Sequence, residues 1–258
     1  WGFTAASHEV WGGSTRESFP GNPVPYLVSR SILTTDWDVA WDSEGEALAF
    51  LKNKAVPGYE VNSPWFRWQI NFARSELEAT INANLAAIYQ SQPQFVQTRQ
   101  SDGSYVSVPI PKSGIGKLKD LRIVERGSGG NVMTLEIAGS NGTFRVSKEY
   151  NIRSLIRPSR QYTNADIVIH RMNDRIVNYS MLPSACVALE ITRDASGEIT
   201  EVTIYGGGHG HGVGMSQWGA RGMAEAGLGY EEILHAFYLG IALEDIYSIG
   251  DWQSLIGQ

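Results

Sequence analysis

The sequence predicts an α+β protein in which an antiparallel β-meander is segregated from its helices. Three observations predict it. Hydrophobic alternation of period two begins at Lys119 and returns from Ala165 to Gly206, broken by Gly, Ser and Asn clusters. One longer segment, "ELEATINANLAAIYQ", sets Leu77, Ile81, Leu85 and Ile88 on a single helical face. The last quarter then changes to two short helical segments, each ending at a glycine.

Taken in order, residues 1–42 are rich in Gly, Pro, Ser and Trp and hold no period, so irregular backbone with short strands such as "PYLVSRSI" is expected. Ser43 and Glu46 form a capping-box pattern ahead of "ALAFLK", and Ser75 with Glu78 forms another ahead of the long amphipathic helix. Pro93 ends that helix, and "SQPQFVQTRQSDGSYVSVPIPKSG" reads as a loop or hairpin with little core value. "LRIVERG", "NVMTLEIAG" and "TFRVSKE" are the meander, followed by a short helix over "NIRSLI" that stops before Pro158. "ADIVIHRM", "RIVNYSML", "CVALEITRD" and "EVTIYGG" supply up to four more strands, and "MSQWGARGMAEAG" and "YEEILHAFYLG" the final helices. The change of period divides the chain into an N-terminal α+β part, 1–118, and a strand region, 119–258, either as two units or as one continuous domain.

Hydrophobic residues at 42% and charged residues at 19% describe an ordinary globular chain of 258 residues. The net charge of −6 argues against a non-specific grip on nucleic acid. Cys186 is the single cysteine and sits in the apolar run "ACVALEI", where a small buried residue is expected and no internal disulfide can form. No run of 18 apolar residues predicts a transmembrane segment. The chain opens at Trp1 without a basic or apolar leader, which reads as a processed or excised chain.

"KSGIGKLKD" lacks the first glycine and the final Ser/Thr of a phosphate loop and reads as a turn, so no nucleotide cofactor is expected. Of the five histidines, His8, His170 and His235 carry no motif, whereas His209 and His211 flank Gly210 in "YGGGHGHGVGMSQWGARGM". So much glycine is explained by close approach of the backbone to a ligand, or by positive φ angles, just before a helix N-terminus. On an extended segment the two imidazoles point the same way. No third ligand lies nearby in sequence, so hydrogen bonding to a sugar or peptide is preferred to a metal site. Ser216 fits the N-cap of a helix running to about Ala226. Gln217 both donates and accepts, which suits hydroxyl and acetamido groups. Trp218 offers a large amphipathic face, as a core residue or as a binding platform. A Ser-His nucleophile pair would lack an elbow motif and a third member.

"GGGHGHGVGMSQWGARGMAEAGLGYEEILHAFYLG" strongly resembles the closing motif of the SpoIID/LytB family, the stage II sporulation protein D and amidase-enhancer group. "GIGKLKDLRIVERGSGGNVMTLEIAGSNGTFRVSKEYNIRSLI" is similar to that family's strand segment, and "WGGSTRES" with "VPYLVS" resembles its front more loosely. The resemblance implies a SpoIID-like fold and an extracytoplasmic protein of the periplasm, cell wall or secreted fraction, acting on peptidoglycan. The family's sporulation member is a lytic transglycosylase using a glutamate as general acid and base, and other members are described as stimulating a cell-wall amidase. The family's Pro-Ser-Glu-Met-Pro-like catalytic segment and its upstream zinc-binding residues do not occur in these 258 residues, so no catalytic residue is assigned. Two alternatives stand: the chain extends before Trp1, or this member does without that machinery. Glu9 and Glu17 lie in the neighbourhood that resembles the family's cleft, but read as solvated surface carboxylates before they read as acid or base.

The expected site is therefore a glycan groove lined by His209, His211, Ser216, Gln217 and Trp218, with Arg153 set for muropeptide carboxylates. Peptidoglycan glycan strands are the expected partner and a cell-wall amidase a second one, with no cofactor or metal. Two other readings remain open: a non-catalytic amidase enhancer, and a zinc hydrolase built on the two histidines.

Overall fold

The computed structural model describes residues 1–11 and 19–245. Among them are seven helices: α1 (Ser7–Val10), α2 (Glu44–Lys52), α3 (Arg74–Ser91), α4 (Glu149–Leu155), α5 (Arg160–Thr163), α6 (Gln217–Glu225) and α7 (Tyr230–Phe237). Ten strands accompany them: β1 (Trp68–Ala73), β2 (Val96–Arg99), β3 (Tyr105–Val106), β4 (Leu118–Arg126), β5 (Val132–Gly139), β6 (Gly142–Ser147), β7 (Val168–His170), β8 (Arg175–Val177), β9 (Val187–Arg193) and β10 (Ile199–Gly206). The fold is α+β with antiparallel strand pairing, as expected. The strands form two five-stranded sheets rather than one meander, in the orders β8-β7-β1-β10-β9 and β3-β2-β6-β5-β4. Each sheet draws strands from both sides of residue 118.

Helix α3 begins one residue before the anticipated cap. Glu76, not Glu78, reaches back to accept a hydrogen bond from the Ala73 N–H at 2.8 Å, so the last residue of β1 caps the helix and Ser75 lies inside it. Glu78 instead accepts from the Leu118 N–H at 2.8 Å and pairs with Arg74, and Asn82 accepts from the Ile115 N–H at 2.8 Å. The turn over 112–116 is thereby pinned to α3, with Ile115 buried beneath it. The predicted face of Leu77, Ile81, Leu85 and Ile88 is buried, in one core cluster with strands of both sheets. Each such side chain contributes roughly 1.5–3 kcal/mol of burial. Ser43 caps α2 as predicted, accepting from the Glu46 N–H at 3.4 Å.

Three elements differ from expectation. Strand β1 buries Trp68, Ile70 and Phe72 on alternate positions and is central to its sheet. The segment after Pro93 does form a hairpin, β2 with β3, but it contributes to the core, with Phe95 and Val96 buried and β2 paired to β6. "PYLVSRSI" makes only an isolated bridge, Ser31 to Phe3; its first residue, Pro25, and Pro23 ahead of it have no N–H to donate. A second core cluster joins this irregular N-terminal segment to α2 and the start of β9 through Trp1, Leu33, Trp41, Phe50, Leu51, Phe66 and Cys186.

A cluster of charges ties the β9–β10 turn to β4. Glu198 lies 2.7 Å from the ammonium groups of Lys117 and Lys119 and 3.7 Å from Arg74. Those two lysine hydrogen bonds hold its carboxyl down at about 2. A carboxylate depressed in the folded state stabilises fully above its unfolded pKa, near ~4.3, and that contribution is lost as pH falls through the folded value. Glu198→Gln is expected to lower the thermal midpoint at pH 7, with the gap to wild type closing between about pH 4.3 and pH 2. A gap that stays constant over that range contradicts the assignment.

Candidate functional site

Strand β10 ends at Gly206 and α6 starts at Gln217, so the geometry of the site rests on the ten residues between them. Gly208, Gly210, Gly212 and Gly214 all have positive φ, from +76° to +103°. At Gly208 and Gly212 a second requirement is added, because a Cβ there would overlap the Trp1 indole. The close approach is thus to the chain's own tryptophan. Its Nε1–H donates to the Gly129 carbonyl at 2.8 Å, and the Trp68 Nε1–H donates to the Gly208 carbonyl at 2.9 Å. The segment's own N–H groups at Gly207, Gly208 and Gly210 donate to the carbonyls of Cys186, Trp65 and Pro183 at 2.8–3.0 Å.

The positive φ at Gly210 breaks the extended geometry in which both imidazoles would point alike. His209 lies against Trp65, ring centroids 4.8 Å apart and 33° from parallel, with its Nε2 3.0 Å from the Tyr179 hydroxyl. Arg171 covers Trp65 at 4.5 Å. Partial burial, followed by the fields of Arg153 and Arg171, lowers the His209 pKa from its usual 6.5 and keeps the ring neutral at pH 7. His211 is held differently: its Nδ1 accepts the Val213 N–H at 3.0 Å and its ring lies 5.3 Å from Trp11. That bond assigns the proton of the neutral ring to Nε2. Among the described residues no three His, Cys, Asp or Glu side chains gather as a metal site, and the two imidazoles engage different partners. The donor set does not fit a zinc centre, which needs three or four converging ligands.

Ser216 caps α6, accepting the Gly219 N–H at 3.1 Å, and its hydroxyl donates to Glu60. Glu60 is buried and also accepts the Gly2 N–H at 2.9 Å and the Trp1 nitrogen at 2.6 Å. Donors converging on both oxygens favour the ionised form. Sequence reasoning missed Glu60, since "YEVNSP" has neither a motif nor a period to flag it. Gln217 is exposed, and Trp218 is half-buried with Arg221 5.3 Å from its ring. A cleft of about 450 Å³ is lined by Trp1, Trp65, His209, His211, Gln217 and Trp218, with Glu60 and Ser216 also on its wall. Trp65 and Tyr179 had no sequence signal beyond being aromatic.

Arg153 stands behind this cleft. It is buried, with Nη1 2.7 Å from Glu149 and Nε donating to the Leu182 carbonyl at 2.8 Å, and reaches the site through its field on His209. Glu9 is not a solvated carboxylate: it is buried, and both oxygens accept the Ser128 N–H at 2.9 Å, holding the loop that carries Gly129. Glu17 lies outside the described residues. The lone Cys186 is buried as expected, and burial pushes its thiol up to about 11.

The chain is 25% identical over 249 residues to the amidase enhancer of Bacillus subtilis, a match covering 94% of this chain and 28% of that protein. An uncharacterized protein of Brachyspira hyodysenteriae is 52% identical over 44 residues, 17% of this chain and 12% of its own. Residues 91–214 match a family model described as a domain of unknown function, DUF8618. The chain therefore spans little more than a quarter of the length of the first relative.

Two measurements test the geometry. Gly210 faces open space, so Gly210→Ala is expected to cost only backbone strain, about 1–3 kcal/mol. Gly212→Ala adds overlap with Trp1 and is expected to cost roughly 1–3 kcal/mol more. Urea midpoints separate them, and equal losses would contradict the packing. In an NMR titration His209 should titrate below 6.5, and Arg171→Gln should move its midpoint upward; an unmoved midpoint counts against the field of Arg171.

Proposed function

We propose, from the premise that the chain is SpoIID/LytB-like along nearly its whole length, that the cleft binds peptidoglycan glycan strands outside the cytoplasm. The observation that carries this reading is the lining of the cleft, where the indoles of Trp65 and Trp218 stand beside His209, His211 and Gln217. A sugar presents apolar C–H faces, which suit indole, and hydroxyl and acetamido groups, which suit an amide and two imidazoles. A volume of about 450 Å³ falls in the range of small-ligand sites. On this reading Ser216 orders the start of α6, so that Gln217 and Trp218 are presented at fixed positions. Arg153, buried and paired with Glu149, acts as a positioning residue behind His209 and does not meet a muropeptide carboxylate directly.

Between the enzymatic and the non-catalytic alternatives, Glu60 favours the second. Among the described residues lining the cleft it is the only carboxylate, and its donors from Ser216 and Gly2, one on each oxygen, favour the ionised form, which has no proton to give. The chain then acts as a glycan-holding module that supports a cell-wall amidase, in keeping with the name of its Bacillus relative. In a pull-down with purified sacculi, the wild-type chain should be retained while Trp218→Ala and the double His209→Ala, His211→Ala variant lose about tenfold in affinity. Equal retention of all three overturns the assignment. Digested sacculi should yield no anhydromuropeptides from this chain alone; their release would favour a lytic transglycosylase.

A further inference from the structure

A second cleft opens on the other side of Phe3. Its cavity volume is about 630 Å³, and its lining includes Phe3, Thr34, Thr35, Asp36, Trp37 and Asp38. Phe3 is also a wall of the motif cleft, so the two cavities meet across one side chain. Trp37 is 40% exposed although it is a large apolar residue. It is braced from behind: Phe50 lies 6.3 Å away edge-on, and Phe50 in turn packs against Trp41 at 5.4 Å and Phe3 at 5.7 Å. An indole held rigid and left partly in water has surface to offer a ligand at little entropic cost.

The polar groups around it narrow the ligand class. Thr34, Thr35, Asp36 and Asp38 are all exposed. Among the described residues neither aspartate makes a side-chain hydrogen bond or ion pair, so both carboxylates remain available as acceptors for hydroxyl groups. Two carboxylates flanking the ring disfavour any group carrying negative charge. One aromatic surface, two hydroxyls and two acceptors match a neutral sugar far better than an anion or a lipid.

We propose that the Trp37 cleft is a second saccharide subsite, taking a neutral sugar of the same glycan strand that the motif cleft holds, with Phe3 between them. The proposal rests on the glycan reading of the motif cleft and extends it from one subsite to a strand-length surface. It also gives a use to "TTDWD", which no other part of the site employs.

The test compares soluble peptidoglycan strands with the single peptidoglycan disaccharide as ligands. Trp37→Ala should weaken binding of strands about tenfold and leave disaccharide binding unchanged. The double Asp36→Asn, Asp38→Asn variant, which removes no packing, should weaken strand binding a few-fold, with its thermal midpoint near wild type. Strand binding at wild-type strength by both variants, while the double His209→Ala, His211→Ala variant loses it, overturns the second subsite and leaves the motif cleft intact. Wild-type strength in all three overturns the glycan reading itself.

Discussion

The glycine run after β10 is packed against two indoles, and the site depends on that fit. Trp1 fills the space that side chains at Gly208 and Gly212 would take, while Trp68 fills the space beside Gly206. Both indole N–H groups are bonded to carbonyls, one to Gly129 and one to Gly208 itself. Glycine is required here on two counts, the positive φ and the missing Cβ, so the segment has one shape and its histidines have fixed places. The cost is conformational entropy, which hydrogen bonds to Trp65, Cys186 and Pro183 help to offset.

That fit draws the N-terminal segment into the molecule's second core. Arg67 is fully buried between Phe50 and Phe66, 4.6 and 4.1 Å from their rings, and burial lowers its pKa to about 10. Its guanidinium donates to the carbonyls of Trp1, Phe66 and Asn53 at 2.8–3.2 Å, so it holds backbone from three segments together. Glu9 does the same for the 127–131 loop and Glu60 for α6. Three charged residues near the cleft thus act as anchors of backbone. The cleft is otherwise lined largely by aromatic, imidazole and amide groups, those of Trp65, Trp218, His209, His211 and Gln217.

Much of this was legible in the sequence, and the reason differs by element. The α3 face and the strands β4 and β6 follow from periodicity, which survives tertiary packing because one face of each is buried, while β5 is buried on both faces from Val132 to Ile137. Ser216 was legible as a cap because capping is local. The alternation of Trp68, Ile70 and Phe72 was present in "WQINFA" but sat against a strong helix signal, and β1 went unread. The partition into two sheets was not legible at all, since it depends on pairings such as β1 with β10, more than a hundred residues apart. The site shows the same division. The motif named its histidines, glutamine and tryptophan, but the residues that shape it, Trp1, Glu60 and Trp65, come from distant and unpatterned segments.

The indoles themselves offer the most direct test of the account, because it assigns them opposite roles. Trp1 and Trp68 are buried structural residues with bonded N–H groups, while Trp65 and Trp218 line the cleft and are proposed to meet the sugar. Adding soluble glycan strands to the labelled protein should shift the indole N–H signals of Trp65 and Trp218 in a saturable way and leave those of Trp1 and Trp68 in place. Saturating glycan that moves neither Trp65 nor Trp218 would contradict the central claim that the glycine-rich motif shapes a glycan-binding cleft.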